Sequence, residues 1–225
     1  ALIGADGLWS RVRHAVCPSL RPEFVGATAT RAVIPAADAG RLALPVVGLW
    51  LTPSAHVVHY PVRGGADIAV VVIAAEAWAG TDWEAEADRE ALLARLSGFH
   101  GSLVEVLARV PAWRKWALHR LPPLPAWTSG RITLLGDAAH PMLPYLAQGG
   151  VLALEDALVL AQCLQQHPGN EPDALGAYER VRRRRAAQRR AHGRRRRCAL
   201  HQQSDGALFP RCPRDQRAHH DELGG

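Results

Sequence analysis

Short apolar blocks divided by turn residues fill the first third of the chain. Four of them, rich in Val, Ile, Thr and Ala, occupy residues 24–34, 46–51, 56–62 and 68–74. Pro-Ser separates the second block from the third, and Arg-Gly-Gly separates the third from the fourth. Blocks of this length bounded by such residues predict β-strands. Four strands in succession favour an antiparallel sheet.

A helical period follows. Residues 81–84 (Thr-x-x-Glu) have capping-box spacing and predict a helix that reaches Leu96. Apolar positions at helical spacing continue through residues 103–110, and residues 116–121 and 131–135 predict two further strands. A long helix is predicted from Gly149 to the residues before Pro168. Asp173 is a candidate cap for a last helix that enters an arginine-rich segment.

Charge is concentrated in that segment. Residues 182–197 hold ten arginines, whereas the net charge of the whole chain is +6, so the remainder is slightly acidic. No aromatic residue is interleaved there to stack on bases, and such a run is typical of the solvated end of a helix. We therefore expect no nucleic-acid partner. No stretch approaches the ~20 apolar residues that a membrane span requires, so we expect none.

Cysteine and histidine positions favour neither disulfides nor a metal. The four cysteines form no Cys-x-x-Cys pair, which favours a reducing, cytoplasmic setting. The Cys and His residues after residue 197 fit no common zinc spacing. In a strand, His56 and His59 point to opposite faces and cannot share one metal. We expect no metal site.

The same alternation places His56 and Tyr60 on one face of the predicted strand, with Val57 on the other. A histidine facing a pocket can deprotonate a phenol near neutral pH. His56 and Tyr60 are therefore candidate substrate-contacting residues. An ordinary half-buried strand with two polar tips remains the alternative.

Two segments carry the most chemistry. Residues 4–13 read Gly-Ala-Asp-Gly-Leu-Trp-Ser-Arg-Val-Arg. Residues 136–150 read Gly-Asp-Ala-Ala-His-Pro-Met-Leu-Pro-Tyr-Leu-Ala-Gln-Gly-Gly, followed by Glu155-Asp156-Ala157. Asp137 lies at the carboxyl end of a predicted strand, where open α/β sheets bind ligands and a carboxylate can accept bonds from sugar-like hydroxyls. A glycine-led helix start lets a flat ring approach its positive end, and His140 is predicted to be a structural turn residue.

Together the two segments resemble the two later FAD-binding signatures of class A flavoprotein monooxygenases. Residues 60–61, 116–118, 127 and 130–131 are similar to the salicylate hydroxylase subgroup. The resemblance covers roughly residues 1–190. It implies an α/β fold of the FAD/NAD(P)-binding aromatic hydroxylase type, with a mainly antiparallel α+β substrate part. The family's opening Gly-x-Gly-x-x-Gly unit has no counterpart here, so we expect an N-terminally truncated piece that binds FAD weakly by itself.

The resemblance also implies roles for individual residues. Asp137, after Gly136, binds the ribityl chain of FAD, and Gly149 and Gly150 lie by the pyrimidine side of the flavin. The first segment lies near the pyrophosphate and is implicated in NAD(P)H use. Pro141 matches a position near the reactive flavin edge, and we count it with His56 and Tyr60 as catalytic. The expected cofactor-binding residues are Asp6, Gly7, Arg13, Gly136, Asp137, Gly149 and Gly150.

The implied reaction is hydroxylation of a phenolic or aromatic-acid substrate. FAD is reduced by NADH or NADPH, reacts with O₂, and transfers oxygen from a flavin C4a-hydroperoxide. An epoxidase or reductase acting on a non-aromatic substrate remains an alternative, as does an inactive fragment. We expect residues 1–20 and 125–190 to belong to an FAD-binding domain and residues 22–120 to a substrate-binding sheet. Residues 191–225 are expected to form a basic, irregular tail.

Overall fold

The computed structural model describes residues 1–78, 84–144 and 149–203, with side chains described as far as residue 191. The strands are β1 (Leu2–Gly4), β2 (Glu23–Pro35), β3 (Gly48–Leu51), β4 (Ala55–Val62), β5 (Asp67–Ala75), β6 (Ala85–Glu86), β7 (Arg114–Arg120), β8 (Thr128–Ser129) and β9 (Ile132–Leu134). The helices are α1 (Arg13–Val16), α2 (Arg89–Arg95), α3 (Gly101–Ala108), α4 (Gly149–Gln166) and α5 (Glu171–Gln203).

The chain separates into two compact units. The first unit contains residues 1–24 and 119–197, and the second contains residues 25–118. Each unit has its own cluster of buried apolar side chains. The assignment of the first unit to cofactor binding and of the second to substrate binding stays a prediction.

The second unit is built on a six-stranded sheet with the order β3-β4-β5-β2-β7-β6. Strand β4 pairs antiparallel with β3 and β5, and β5 pairs antiparallel with β2. The four strands predicted from the apolar blocks are β2 to β5, and the antiparallel sheet is confirmed. Within β4, His56 is opposite Leu51 of β3 and Ile73 of β5, which fixes the face to which each side chain points.

One face of this sheet holds the core of the second unit. Helices α2 and α3 contribute to the same cluster, so the period-2 face of the strands packs with the 3.6-period face of the helices. Each fully buried aliphatic side chain contributes roughly 1.5–3 kcal/mol through loss of contact with water. The buried members of the cluster include Ala55, Val57, Ile68, Val70, Val72, Leu92, Leu96, Leu103, Leu107 and Trp113.

Helix α2 does not begin where the Thr-x-x-Glu spacing placed it. Thr81 lies outside the described residues, and residues 85–86 form β6, which pairs with β7. The helix begins after Asp88, whose carboxylate accepts hydrogen bonds from the amides of Glu90 (3.0 Å) and Ala91 (3.1 Å). The predicted start was wrong because residues 85–86 pair as a strand and Asp88, four residues after Glu84, supplies a strong cap.

The first unit contains a three-stranded sheet with the order β1-β9-β8. Strand β1 pairs parallel with β9, and β8 pairs antiparallel with β9. Helix α4 begins at Gly149 and ends at Gln166, as its pattern predicts. Helix α5 begins at Glu171, and Asn170 rather than Asp173 precedes it, with the Asp173 amide donating to Asn170 Oδ1 at 3.4 Å. Asp173 therefore lies inside the first turn.

Helix α5 also continues through Gln203, so the expected irregular tail from residue 191 is wrong over residues 191–203. Arg, Ala, Leu and Gln are among the better helix formers, so this composition extends a helix once it has begun. Residues 204–225 lie outside the described part of the chain. Among the described helices, none is long and apolar enough to cross a bilayer.

Candidate cofactor-binding site

The residues after β9 form a tight turn that presents Asp137. Gly136–Ala138 is a single turn of 3₁₀ helix, and the amides of Ala139 (2.9 Å) and His140 (2.8 Å) both donate to the Gly136 carbonyl. Gly136 has φ = +60°, and a Cβ added there would lie 3.1 Å from Ala153 Cβ of α4. Only glycine combines this backbone conformation with such a close helix.

Asp137 offers an accessible acceptor at the end of the turn. Its side chain is exposed, and its carboxylate accepts no hydrogen bond from the described residues. Although the side chain is exposed, protein atoms around the carboxyl displace part of its water, which raises the pKa of Asp137, and the nearby His140 opposes that shift. A Cβ added to Gly149 would lie 3.8 Å from Asp137 Oδ1, so the turn and the start of α4 are close neighbours.

Gly149 and Gly150 are the first two residues of the eighteen-residue helix α4. Apart from the neighbouring backbone of α4 itself, no described atom lies within 4 Å of the place where Gly150 would carry a Cβ. As far as the described residues go, the helix start therefore offers backbone N–H groups that no side chain covers and a positive dipole end beside the Asp137 carboxylate. A carboxylate acceptor next to backbone N–H donors fits a group that carries hydroxyls and a ring with developing negative charge, as FAD does. Residues 145–148 lie outside the described residues.

The first signature segment forms a self-contained loop. The Asp6 carboxylate accepts hydrogen bonds from the Ser10 hydroxyl and from the amides of Arg11 (2.7 Å) and Val12 (3.2 Å). Burial works to raise the pKa of Asp6, but these hydrogen bonds bring it below its usual value. Gly7 has φ = +75°, a conformation that glycine adopts without strain. Asp6 and Gly7 thus shape the loop.

Arg13 joins the two signature segments. Its side chain is buried, Nη1 donates to the Ala138 carbonyl at 3.0 Å, and Nη2 donates to the Leu8 carbonyl at 2.5 Å. Burial lowers the pKa of the guanidinium, and the charge of Asp6 opposes that change. Arg13 therefore braces the loop of the first segment against the Asp137 turn.

A buried carboxylate, Asp156 of α4, lies behind the turn. Its Oδ2 accepts hydrogen bonds from the Gly136 amide (3.0 Å) and from His140 Nε2 (2.5 Å), and its Oδ1 accepts one from Arg182 Nε (2.6 Å). The His140 ring stacks on Trp127 with centroids 5.0 Å apart. The prediction that His140 is a structural turn residue agrees with this burial and bonding.

The electrostatics of this cluster favour charged acids. Burial alone would raise the pKa of Asp156, but His140, Arg182 and the Gly136 amide together hold it below its usual value. Glu155, the neighbouring residue on α4, is paired with Arg185 and Arg182, which lower its pKa from 4.5 to about 2. The cluster therefore carries two carboxylates balanced by two guanidinium groups.

Sequence reasoning assigned neither Asp156 nor Arg182 to the site. Arg182 was included in the solvated arginine run, yet its side chain is 5% exposed. The signal that could have identified Arg182 is a stripe of buried residues at helical spacing on α5, in which Arg182 comes four residues after Tyr178. The stripe comprises Ala174, Leu175, Tyr178, Arg182 and Ala186.

The expected substrate-contacting residues lie on β4 in the second unit. His56 is buried and Tyr60 is half-buried, on the face opposite Val57, which belongs to the core cluster. His59 lies on the Val57 face, where its Nδ1 accepts a hydrogen bond from Trp50 Nε1 at 3.1 Å. Burial lowers the pKa of His59. Two histidines three residues apart thus occupy opposite faces of one strand.

Pro141 follows the buried His140 directly and is half-buried in the first unit. Among residues 1–78, 84–144 and 149–191, no three His, Cys, Asp or Glu side chains come together as metal ligands. Cys17 and Cys163 are both buried and free.

Comparison with known proteins agrees with this arrangement. A family model described as an FAD binding domain matches residues 2–191. The chain therefore belongs to the FAD-binding domain family represented by that model.

Two curated relatives and one solved structure illustrate the similarity. The chain is 39% identical over 188 residues to a 3-hydroxybenzoate 6-hydroxylase of Klebsiella oxytoca, covering 80% of this chain and 46% of that protein. It is 35% identical over 191 residues to a 6-hydroxynicotinate 3-monooxygenase of Pseudomonas fluorescens, covering 83% and 50%. A salicylate hydroxylase substrate complex superposes with a TM-score of 0.77 at 28% identity, covering 92% and 56%. The chain thus spans about half the length of these proteins.

The Glu155 ion pairs generate a prediction about stability at low pH. Because folding lowers the pKa of Glu155 from 4.5 to about 2, its stabilising contribution is present above pH ~4.5 and is lost as the pH falls towards ~2. Glu155→Gln should remove this contribution. The expected effect on the free energy of unfolding at pH 6 is below about 1 kcal/mol, because the side chain is partly exposed.

Urea denaturation at several pH values between 6 and 2.5 measures the effect. Glu105→Gln is the matched control, because Glu105 forms an exposed ion pair with Arg109 along α3. The gap between parent and Glu155→Gln should narrow as the pH falls, whereas Glu105→Gln should follow the parent. A gap that stays constant with pH would contradict the assignment.

Proposed function

We propose that this chain is part of an FAD-dependent monooxygenase that hydroxylates a phenolic or aromatic-acid substrate with NADH or NADPH and O₂. The observation that carries the proposal is the pairing of a free, exposed Asp137 carboxylate with the bare glycine start of α4 in a chain of the FAD-binding domain family. The names of the relatives support the reaction class, since 3-hydroxybenzoate and 6-hydroxynicotinate are both hydroxylated aromatic acids.

In this proposal the first unit holds the cofactor. Asp137 accepts hydrogen bonds from ribityl hydroxyls, and the N–H groups of Gly149 and Gly150 approach the pyrimidine side of the flavin. The positive end of α4 stabilises negative charge that develops there. Asp6 and Arg13 act indirectly, because their charged groups hold the loop of the first segment and the Asp137 turn in place. Bound FAD supplies the redox and oxygen chemistry.

The second unit supplies the substrate-contacting side chains. His56 and Tyr60 are four residues apart and lie on the same face of β4. At ~3.3 Å per residue, their Cα atoms are about 13 Å apart. His56 is proposed to take the phenol proton and Tyr60 to orient the ring. Pro141 is proposed to lie at the reactive edge of the flavin. The buried, free Cys17 and Cys163 support a reducing setting such as the cytoplasm.

A substrate panel tests the reaction class. NADH and NADPH oxidation by the full-length protein with FAD should be stimulated by phenolic acids, with a hydroxylated product formed. Isoprenoids serve as the comparison set, because stimulation by them instead would indicate an epoxidase or reductase. No stimulation by any compound, in a protein that carries bound flavin, would contradict an enzymatic role of this kind.

Asp137→Ala tests the cofactor assignment. The variant should lose hydrogen bonds to ribityl hydroxyls, and a hydrogen bond to a charged acceptor contributes about 1.5–3 kcal/mol. The expected loss of FAD affinity is therefore about ten- to a hundredfold. Titration of flavin fluorescence measures it. Asp38→Ala, which removes an exposed aspartate of the second unit, is the control and should bind FAD as the parent does; equal affinity of both variants would disprove the role.

His56→Ala and Tyr60→Phe test the substrate side. Both should lower hydroxylation more than FAD affinity, and His56→Ala should lower it by about a hundredfold where general-base catalysis operates. If His56 acts as the base, the parent's rate should fall below neutral pH and the variant's rate should be less sensitive to pH. The measurement is product formed per NAD(P)H consumed across pH.

Val57→Ala is the matched control from the opposite face of β4. Val57 is fully buried in the core of the second unit, so its truncation should cost about 2 kcal/mol of stability and leave turnover per folded enzyme unchanged. If His56→Ala and Tyr60→Phe both match the parent, the strand is scaffold and the substrate is held elsewhere.

A further inference from the structure

We propose that Asp156 is a positioning residue that fixes the Asp137 turn in its ligand-binding geometry by anchoring both ends of that turn to α4 and α5. This inference rests on the proposed FAD site. It concerns a residue that does not itself present an atom to the exposed side of the turn, since its side chain has no exposed surface.

Two of the three donors to Asp156 come from the turn itself. Gly136 and His140 are the two ends of the five-residue turn, and both donate to the same oxygen of Asp156. Asp137 lies between them in the chain. One carboxylate oxygen therefore clamps the segment whose only exposed acidic group is Asp137.

Arg182 of α5 holds the Asp156 side chain in place. Asp156 Oδ1 accepts a hydrogen bond from Arg182 Nε at 2.6 Å. The same guanidinium donates to the Glu155 carboxylate at 2.8 Å and to the Leu152 carbonyl at 3.2 Å. A guanidinium is a planar fork, so three bonds in three directions leave it little freedom. Arg182 thereby ties α5 to α4 and fixes the rotamer of Asp156.

The three donors around Asp156 require an acceptor on both of its side-chain oxygens. A carboxylate offers acceptors on both oxygens, as three converging donors require. In Asp156→Asn one oxygen becomes an NH₂ group, so a donor faces either Arg182 or the pair formed by Gly136 and His140. One side of the clamp must open in either rotamer.

A double-mutant cycle in the full-length protein tests the proposal, with FAD itself as the probe. Asp156→Asn should weaken FAD binding by about tenfold. In an Asp137→Ala background the same change should have little further effect, because the residue being positioned is already absent. A general loss of stability would reduce binding equally in both backgrounds, so this coupling distinguishes positioning from a merely structural role.

Amide hydrogen exchange provides a readout that does not depend on FAD. The Gly136 amide is protected by Asp156 Oδ2, and Asp156→Asn should accelerate its exchange by about tenfold or more. Glu105→Gln is the matched control, because Glu105 lies on α3 in the second unit, where it forms an exposed ion pair with Arg109 and takes no part in holding Asp156 or Arg182. It should leave both Gly136 exchange and FAD affinity close to those of the parent.

His140→Phe is the second variant, for the case in which Asp156→Asn does not fold. It keeps a ring to stack on Trp127 and removes the Nε2 donor, and the buried Nδ1 that it also removes has no hydrogen-bond partner among the described residues. Gly136 exchange and FAD affinity should therefore change in the same direction as in Asp156→Asn, by a smaller amount. The proposal is overturned if folded variants leave Gly136 exchange unchanged, or if Asp137→Ala weakens FAD binding while Asp156→Asn does not, or if the two changes are additive. Faster Gly136 exchange with no effect of Asp137→Ala on FAD would instead overturn the FAD site and support the clamp.

Discussion

A single buried carboxylate organises the first unit. Removing a charge from water costs several kcal/mol, and Asp156 has no exposed side-chain surface, so it must be surrounded by donors. Those donors are a turn amide, an imidazole and a guanidinium from separate segments of the chain. Satisfying one acid therefore requires the turn after β9, helix α4 and helix α5 to meet in one arrangement. Removal of one partner from such a buried cluster typically costs about 3–5 kcal/mol, which makes the arrangement cooperative.

The need to pair charged groups with hydrogen-bond partners also distinguishes the charged residues of the two signature segments. Asp6 uses its carboxylate on its own loop, and Arg13 uses its guanidinium on two carbonyl groups. Both are charged residues of a signature, and both use their charged groups in hydrogen bonds to the signature segments themselves. Asp137 is the exception, since its carboxylate accepts no hydrogen bond from the described residues and lies beside the open start of α4. The charged groups of Asp6 and Arg13 thus hold the loop and the turn in place, and the Asp137 carboxylate keeps its acceptor sites available.

Local patterns predicted much of the fold. Strands β2 to β5 and helix α4 occur where periodicity and turn residues indicate them, because these signals depend on neighbours a few residues away. The errors have local causes too: Asp88 caps α2 in place of the Thr-x-x-Glu segment, and Asn170 precedes α5 in place of Asp173. In each case two candidate capping residues lie close together in the sequence, so local preference alone does not determine which of them begins the helix.

The sequence alone was sufficient for the family, for the position of Asp137 after a strand and for the opposite faces of His56 and His59, because motif spacing and strand alternation need no distant contacts. It did not reveal that Arg182, alone of the first four arginines of the run, is buried, or that Asp156 accepts hydrogen bonds from both ends of the Asp137 turn. Asp156 lies 20 residues from Gly136 and 26 residues from Arg182. No periodic pattern spans such separations, so only the packing of α4 and α5 in three dimensions determines which charges meet.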